Sequence, residues 1–417
     1  MKIARLALTL VAFTALSAAA QTRFVHTDGR NLIDTHGKLL LLRGTSLGNW
    51  MVPEGYMWRL EGGPQSPTEI ERLITELIGP TRAAAFWQQY RDTYITQADI
   101  HAIHAQGFNV VRVPLHWKFF QTDNAEGFRL LDRVVNWSRA EGLYVVLDLH
   151  AAPGGQTGAN IDDGDGYPWL FRDEGAQQQT IALWQRLARH YANSPTVLGY
   201  EPLNEPIPNY PGLETLNPSL EPLYRRIATA IRAVDKHHTI ILGGAQWDNN
   251  FDVFGPPFDP NLIYTFHRYT APPTQETLTK YLAFRDRYNV PIWLGESGEN
   301  VDTWIATFRT VLEANNIGWC FWPYKKMQAT SAVATFVPPP NWDAIVTFAK
   351  LPRTMADVKS RQHQRPPQPL IEATLAALLT NIRFAESNLN PGYIHALIPQ
   401  PQTSTPPSLA PQQTPHS

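Results

Sequence analysis

The sequence predicts a (β/α)8 TIM barrel with an N-terminal hairpin and long loops after its first and third strands. Three observations carry this reading. Eight short apolar runs recur along the chain, at 39–46, 108–114, 144–150, 197–206, 239–247, 262–269, 291–298 and 318–324. They are continuously hydrophobic rather than alternating, the pattern of parallel strands covered on both faces. Stretches of helical period lie between several of them, marked by Leu130, Val134 and Trp137 and by Ile181, Trp184, Leu187 and Tyr191. Polar residues gather at the C-terminal ends of the runs: Arg112, His150, Asn204, Glu205, Gln246, His267, Tyr269 and Glu296. That end of such a barrel carries its active site. No G-x-G-x-x-G follows the first run, which argues against a doubly wound dinucleotide fold.

Along the chain, Lys2 and Arg5 precede a short apolar stretch, Leu6 to Leu16, and small residues at Ala18 to Ala20. This reads as a secretory signal over residues 1–20, too short to span a bilayer. The expected location is the periplasm or the cell exterior. Turn signals at Asp28-Gly29 and His36-Gly37 predict a hairpin that feeds the first strand and seals the bottom of the barrel. The connection from Leu47 to Ala105 contains Trp50, Trp58 and helix-like stretches starting near Thr68 and Thr81. Asn124 and Thr303 are placed to cap later helices. The third-strand loop, Ala151 to Glu174, carries Tyr167 and Trp169. Its acidic segment IDDGDG lacks the alternating ligand spacing of a calcium loop and reads as a turn or a sugar-contacting loop. The barrel is expected over 21–388. A tail over 389–417, rich in Pro, Gln, Ser and Thr, is too poor in apolar residues to order itself.

Composition excludes several function classes. The formal net charge is −2, with 35 basic and 37 acidic residues interspersed. Neither nucleic acid nor a membrane surface is an expected partner. The single cysteine, Cys320, forbids an internal disulfide and lies in an apolar run, as an inert thiol would. Of thirteen tryptophans, Trp50, Trp58, Trp117, Trp169, Trp247 and Trp322 fall at strand ends or in the loops that follow. Aromatic faces there suit the C–H faces of sugars, although most aromatics serve a core.

Glu205 and Glu296 are the candidate catalytic residues. Each closes an apolar run, in VLGYEPLNEP and PIWLGESGEN, so tertiary structure presents both to one rim. Two such carboxylates are the minimum for cleaving a glycosidic bond, one as proton donor and one as nucleophile or base. Arg112 ends an apolar strand, where an unpaired charge is costly and a carboxylate partner is required. That partner is Glu296 or Asp148. Asp148 receives no role. His150 and His267 read as neutral hydrogen-bonding residues, and two histidines at strand ends also suit zinc.

LNEP after strand four, LGES after strand seven, NVVRVP on strand two and VLDLH on strand three resemble glycoside hydrolase family 5. The resemblance runs from about Leu39 to Ala349. It implies that Glu205 is the acid/base and Glu296 the nucleophile, with Arg112 pairing Glu296. It further implies that His150, Asn204, His267 and Tyr269 line the subsite of the cleaved sugar and that Trp322 is its stacking floor. GTSLGNW after strand one and DLHAAPGGQTG after strand three are most similar to the branch containing exo-β-1,3-glucanases. From Ala159 to Phe171 the chain departs from that pattern, where outer subsites form. The expected function is an exported retaining β-glycosidase acting on an oligo- or polysaccharide such as a β-glucan, without a cofactor or metal. The alternatives are a carbohydrate-binding barrel without turnover and a zinc-dependent barrel hydrolase.

Overall fold

Each apolar run becomes a parallel strand because both of its faces find apolar cover. The computed structural model describes residues 24–399. Its barrel strands are β1 (Arg43–Ser46), β2 (Val110–His116), β3 (Tyr144–Ala151), β4 (Val197–Glu201), β5 (Thr239–Gly243), β6 (Leu262–His267), β7 (Ile292–Glu296) and β8 (Gly318–Phe321). Each pairs in parallel with the next, and β8 also pairs with β1, which closes the barrel. The predicted (β/α)8 architecture is the observed one. Several strands are shorter than their apolar runs. In particular β4 stops at Glu201, so Glu205 lies in the loop beyond it.

The lower half of the barrel is filled by one layer of side chains: Leu42, Val110, Val146, Leu198, Ile241, Ile263, Trp293 and Cys320. Val25 and Leu32 join this layer from below. Leu32 belongs to the hairpin formed by His26–Asp28 and Asn31–Ile33, which seals the barrel floor as its turn residues predict. Outside, helix Glu126–Glu141 buries Leu130, Leu131, Val134 and Val135, and helix Glu174–Tyr191 buries Leu183, Trp184, Leu187 and Tyr191. Asn124 and Thr303 do not cap. These helices begin after Ala125 and Val301, with Glu126 and Asp302 in their first turns. An acid there already answers the helix dipole, so no capping side chain is needed.

The long connection after β1 folds as helices Pro67–Ile78, Pro80–Tyr94 and Gln97–Ala105. The first starts with a Ser66/Glu69 capping box and a proline, a strong local start signal. Trp50 and Trp58 are 2% and 1% exposed. Trp58 packs on Trp87, Tyr90 and Trp342, and Trp50 donates to the carbonyl of Arg91. They are the core of the insertion and form no cleft wall, because their large apolar surface is the glue that docks these helices. After β3, Trp169 remains half exposed against Tyr167. The acidic segment is a turn stapled to its surroundings. Asp163 accepts from the Thr68 amide at 2.8 Å and hydroxyl at 2.5 Å, and Asp162 accepts from the amides of Thr157 and Gly158.

The expected boundary at 388 falls inside ordered structure. Asn388–Leu389 pairs with the short strand Ala334–Phe336, and helix Pro391–Leu397 buries Tyr393, Ile394 and Leu397. These three apolar side chains give residues 391–397 the buried area that holds the helix in place. The signal at 1–20 and the segment after 399 lie outside the described residues. Among the described residues no helix is long and apolar enough to cross a membrane.

Candidate active site

Arg112 organises the upper end of the barrel. It projects from β2, is fully buried, and uses every face of its guanidinium. Nε and one terminal nitrogen grip both oxygens of Glu201 at 2.9 and 2.8 Å. The other terminal nitrogen donates to Oε2 of Glu296 at 2.8 Å. The side-chain oxygen of Asn204 accepts at 2.8 Å, and Asp148 lies 3.2 Å away. Both partners considered for Arg112 are therefore present. A third, Glu201, was missed. It is the last residue of β4, in register with Asp148 on β3, and a buried acid ending an apolar strand was the available signal.

His150 follows from this network. The oxygen of Asn204 is taken by Arg112, so its amide faces Nε2 of His150 at 3.5 Å as a donor. Nδ1 then carries the ring proton and donates to Asp148 at 2.8 Å. Burial lowers the His150 pKa to about 4, so the ring is neutral. Its plane stacks on Trp322, with 5.5 Å between centroids and 5° between planes. Trp322 is 2% exposed and donates to the Tyr56 hydroxyl at 2.7 Å. A Cβ on Gly48 would lie 2.2 Å from the Trp322 ring, so the indole occupies space that only glycine leaves.

The two glutamates sit in different surroundings. Glu296, at the end of β7, is 5% exposed and has both oxygens engaged. Tyr269 donates to Oε1 at 2.5 Å and Arg112 to Oε2. Burial raises its pKa, while His267 and Arg112 pull it back down. Glu205 adopts a left-handed backbone, φ 47°, and its amide donates to Asp248 at 3.0 Å. Oε1 meets Nδ1 of His267 at 3.0 Å. Burial pushes its pKa up to about 7, with His150 and Arg112 opposing. Among the described residues no Lys or Arg contacts Glu205, whose pKa near 7 lets it keep its proton near neutrality.

Ligand-type atoms of Glu205, His267 and Glu296 lie within 4.8 Å of one another, as do those of Glu201, Asp248 and His267. The first set includes both glutamates. His150 belongs to neither set, so the pair of histidines considered for zinc is not assembled. Each nitrogen of His267 faces a carboxyl group, Nδ1 at 3.0 Å and Nε2 at 3.3 Å.

The structure thus gathers all eight residues singled out from the sequence: Arg112, His150, Asn204, Glu205, His267, Tyr269, Glu296 and Trp322. It adds Glu54, Tyr56, Asp148, Glu201 and Asp248. Glu54 is 4% exposed, and burial together with Glu296, Glu299 and Glu205 raises its pKa well above the carboxylate range.

Residues 74–328 match the family described as Cellulase (glycosyl hydrolase family 5). A β-xylosidase of Phanerodontia chrysosporium is 32% identical over 60% of this chain and 52% of its own length. A protein named probable glucan 1,3-beta-glucosidase A, from Aspergillus niger, is 32% identical over 50% of each chain. The chain spans about half the length of these curated relatives. Among solved structures, an endogalactoceramidase superposes with TM-score 0.58 over 90% of this chain and 84% of its own, at 19% identity, a likeness of fold.

Proposed function

The chain belongs to glycosyl hydrolase family 5, and on that premise we propose that it hydrolyses β-glycosides with retention of configuration. The observation that carries this reading is the Glu205–Glu296 pair: one oxygen of each lies within 4.8 Å of the other, and Arg112 and Tyr269 hold Glu296 while no Lys or Arg among the described residues pairs with Glu205. Retaining enzymes place their carboxyls about 5–5.5 Å apart, whereas inverting enzymes need about 6.5–9.5 Å to admit water.

In the first step an oxygen of Glu296 attacks the anomeric carbon. The bond from that carbon to the leaving oxygen breaks, and Glu205 gives its proton to the departing oxygen. Arg112 and Tyr269 hold Glu296 ionised and aimed. Asn204 donates an amide hydrogen toward the 2-hydroxyl of the sugar, a bond that strengthens in the transition state. In the second step Glu205, now ionised, takes a proton from water as the water displaces Glu296. Arg112 stays charged throughout and cancels charge that moves between sugar and carboxylate. His150, His267, Trp322 and Glu54 line the subsite of the cleaved sugar.

The substrate proposed is a β-glucan or a β-gluco-oligosaccharide. The relatives named glucan 1,3-β-glucosidase support that class, while the relative named β-xylosidase supports a β-glycoside more broadly. Export, to the periplasm or beyond, is proposed from the N-terminal sequence. The test is hydrolysis of a chromogenic β-glucoside and of β-1,3-, β-1,4- and mixed-linkage glucans, each with Glu296→Ala as control. Activity on at least one, lost in the variant, is expected. Activity that survives in Glu296→Ala, or falls on adding a chelator, contradicts the proposal.

A further inference from the structure

We propose that Asp248 is a positioning residue for the acid/base carboxyl: as a neutral acid it donates to Nε2 of His267, which turns Nδ1–H toward Oε1 of Glu205 and leaves the catalytic proton on Oε2. The inference rests on reading Glu205 as the acid/base.

His267 sits between two carboxyl groups. Nδ1 lies 3.0 Å from Glu205 Oε1 and Nε2 lies 3.3 Å from Asp248 Oδ2. A neutral imidazole has one N–H, so only two arrangements are open. If Nε2 carried the hydrogen, Nδ1 would accept the proton of Glu205 on Oε1 and draw it away from the substrate. If Nδ1 carries it, Glu205 accepts on Oε1 and its own proton is free on Oε2. The second arrangement requires a donor at Nε2. That nitrogen is buried and without a hydrogen-bond partner among the described residues, and Oδ2 of Asp248 lies 3.3 Å from it.

Asp248 is built for this task. It is fully buried and has no Lys or Arg in contact, a setting in which a carboxylate is costly. The ionisable groups around it are Glu201, Glu205, His267, Tyr224 and Tyr281, with Arg112 farther off. Burial, Glu201 and Glu205 hold its pKa well above the carboxylate range, and burial lowers that of His267 to about 4. Oδ2 also accepts the Glu205 amide at 3.0 Å, so one oxygen fixes both the backbone and the imidazole partner of the acid/base. The backbone is bent to bring it there: Gln246, Trp247 and Asp248 are all left-handed, with φ of 53°, 61° and 59°. On β5, a Cβ at Gly243 would lie 1.9 Å from Asp248 Oδ1, so glycine opens the space for the carboxyl.

The direct test is nitrogen-15 NMR of the histidine-labelled protein, with the His267 signals assigned by their loss in His267→Gln. A protonated Nδ1 and a bare Nε2 near neutral pH are expected. A protonated Nε2 overturns the proposal. Kinetics give a second reading that a merely structural role would not produce. Asp248→Ala should lower kcat/KM for phenyl β-D-glucoside about 100-fold, the scale of general acid catalysis, because that leaving group needs a proton. The loss on 2,4-dinitrophenyl β-D-glucoside should stay within about threefold, since that leaving group departs unprotonated. Equal losses on both glucosides, or no loss on either, would overturn the proposal. If the wild-type protein cleaves neither glucoside, the functional reading fails while the NMR result still decides the tautomer.

Discussion

The Tyr269 hydroxyl lies 2.5 Å from Oε1 of Glu296, opposite the Arg112 contact at 2.8 Å on Oε2. A carboxylate held by two donors on its two oxygens is fixed in rotation and favoured in its ionised form. Removing one donor should cost about 1.5–3 kcal/mol, the range for hydrogen bonds to charged groups. Tyr269→Phe is therefore expected to lower kcat/KM by about 10- to 150-fold while the protein stays folded. Steady-state kinetics with thermal denaturation as control checks this. A change below threefold would mean Tyr269 does not hold the nucleophile.

The two glutamates should separate chemically. Glu205→Ala is expected to retain the first step for substrates with good leaving groups and to be rescued by azide, giving a β-glycosyl azide. Glu296→Ala should be inactive, with no rescue to a retained product. Product analysis by NMR distinguishes the two, and the reverse pattern would exchange their roles.

The pH dependence follows from Glu205. Its pKa is raised to about 7, so it is protonated below and ionised above. As the proton donor it should give kcat/KM a limb that falls as pH rises through about 7. Stability carries the same sign. An unfolded glutamate titrates near 4.3, so the folded state binds the extra proton between there and about 7 and loses stability over that interval as pH rises. Glu205→Gln should lack this loss. Its melting temperature should exceed that of the wild type above pH 7, with the gap closing toward pH 4. Parallel melting curves at all pH values would contradict the raised pKa.

Gly48→Ala tests the packing of the Trp322 indole. The added carbon would lie 2.2 Å from the ring, so the indole or the loop must move. Overpacking of this kind costs about 1–3 kcal/mol. The expected result is reduced stability together with loss of activity, since Trp322 also carries His150 on its face. Full activity with an unchanged melting temperature would show that Trp322 has slack.

Much of the site was legible because it obeys one rule: a polar residue that ends a buried apolar strand must have a partner at the rim. His150, His267 and Glu296 lie at or next to the ends of their strands, whereas Arg112, expected to end its strand, is third in the seven-residue β2, which runs on to His116; its buried charge still required a partner. The same rule applied to Glu201, which ends β4, but the neighbouring LNEP drew attention to Glu205 instead. Glu205 itself is in a loop, and its placement depends on a left-handed backbone that the sequence does not announce. Asp248 and Glu54 were hidden for a related reason. Both lie on loops after strands, where no periodicity marks which side chains turn inward. Trp50 and Trp58 show the opposite error. Aromatics near the rim suggested sugar-contacting faces, yet three helices needed a core of their own and took them.

That reassignment bears on cleft shape. Without Trp50 and Trp58, the inward-reaching parts of the β1 loop are Glu54 and Tyr56, the latter bonded to Trp322. Side chains placed there would hold a chain terminus rather than an internal segment, so exo action or a preference for short oligosaccharides is the expected outcome. Digestion of a long β-glucan should release glucose or another single small product from the outset. An early ladder of mixed lengths would indicate an open, endo-acting cleft.

The central claim is a nucleophile and an acid/base with one oxygen of each within 4.8 Å of the other, and its most direct test is the stereochemistry of the first product. Proton NMR of the wild-type protein acting on an aryl β-glucoside should show the β-anomer of the sugar appearing first, with the α-anomer growing only as mutarotation proceeds. Initial release of the α-anomer would contradict the account.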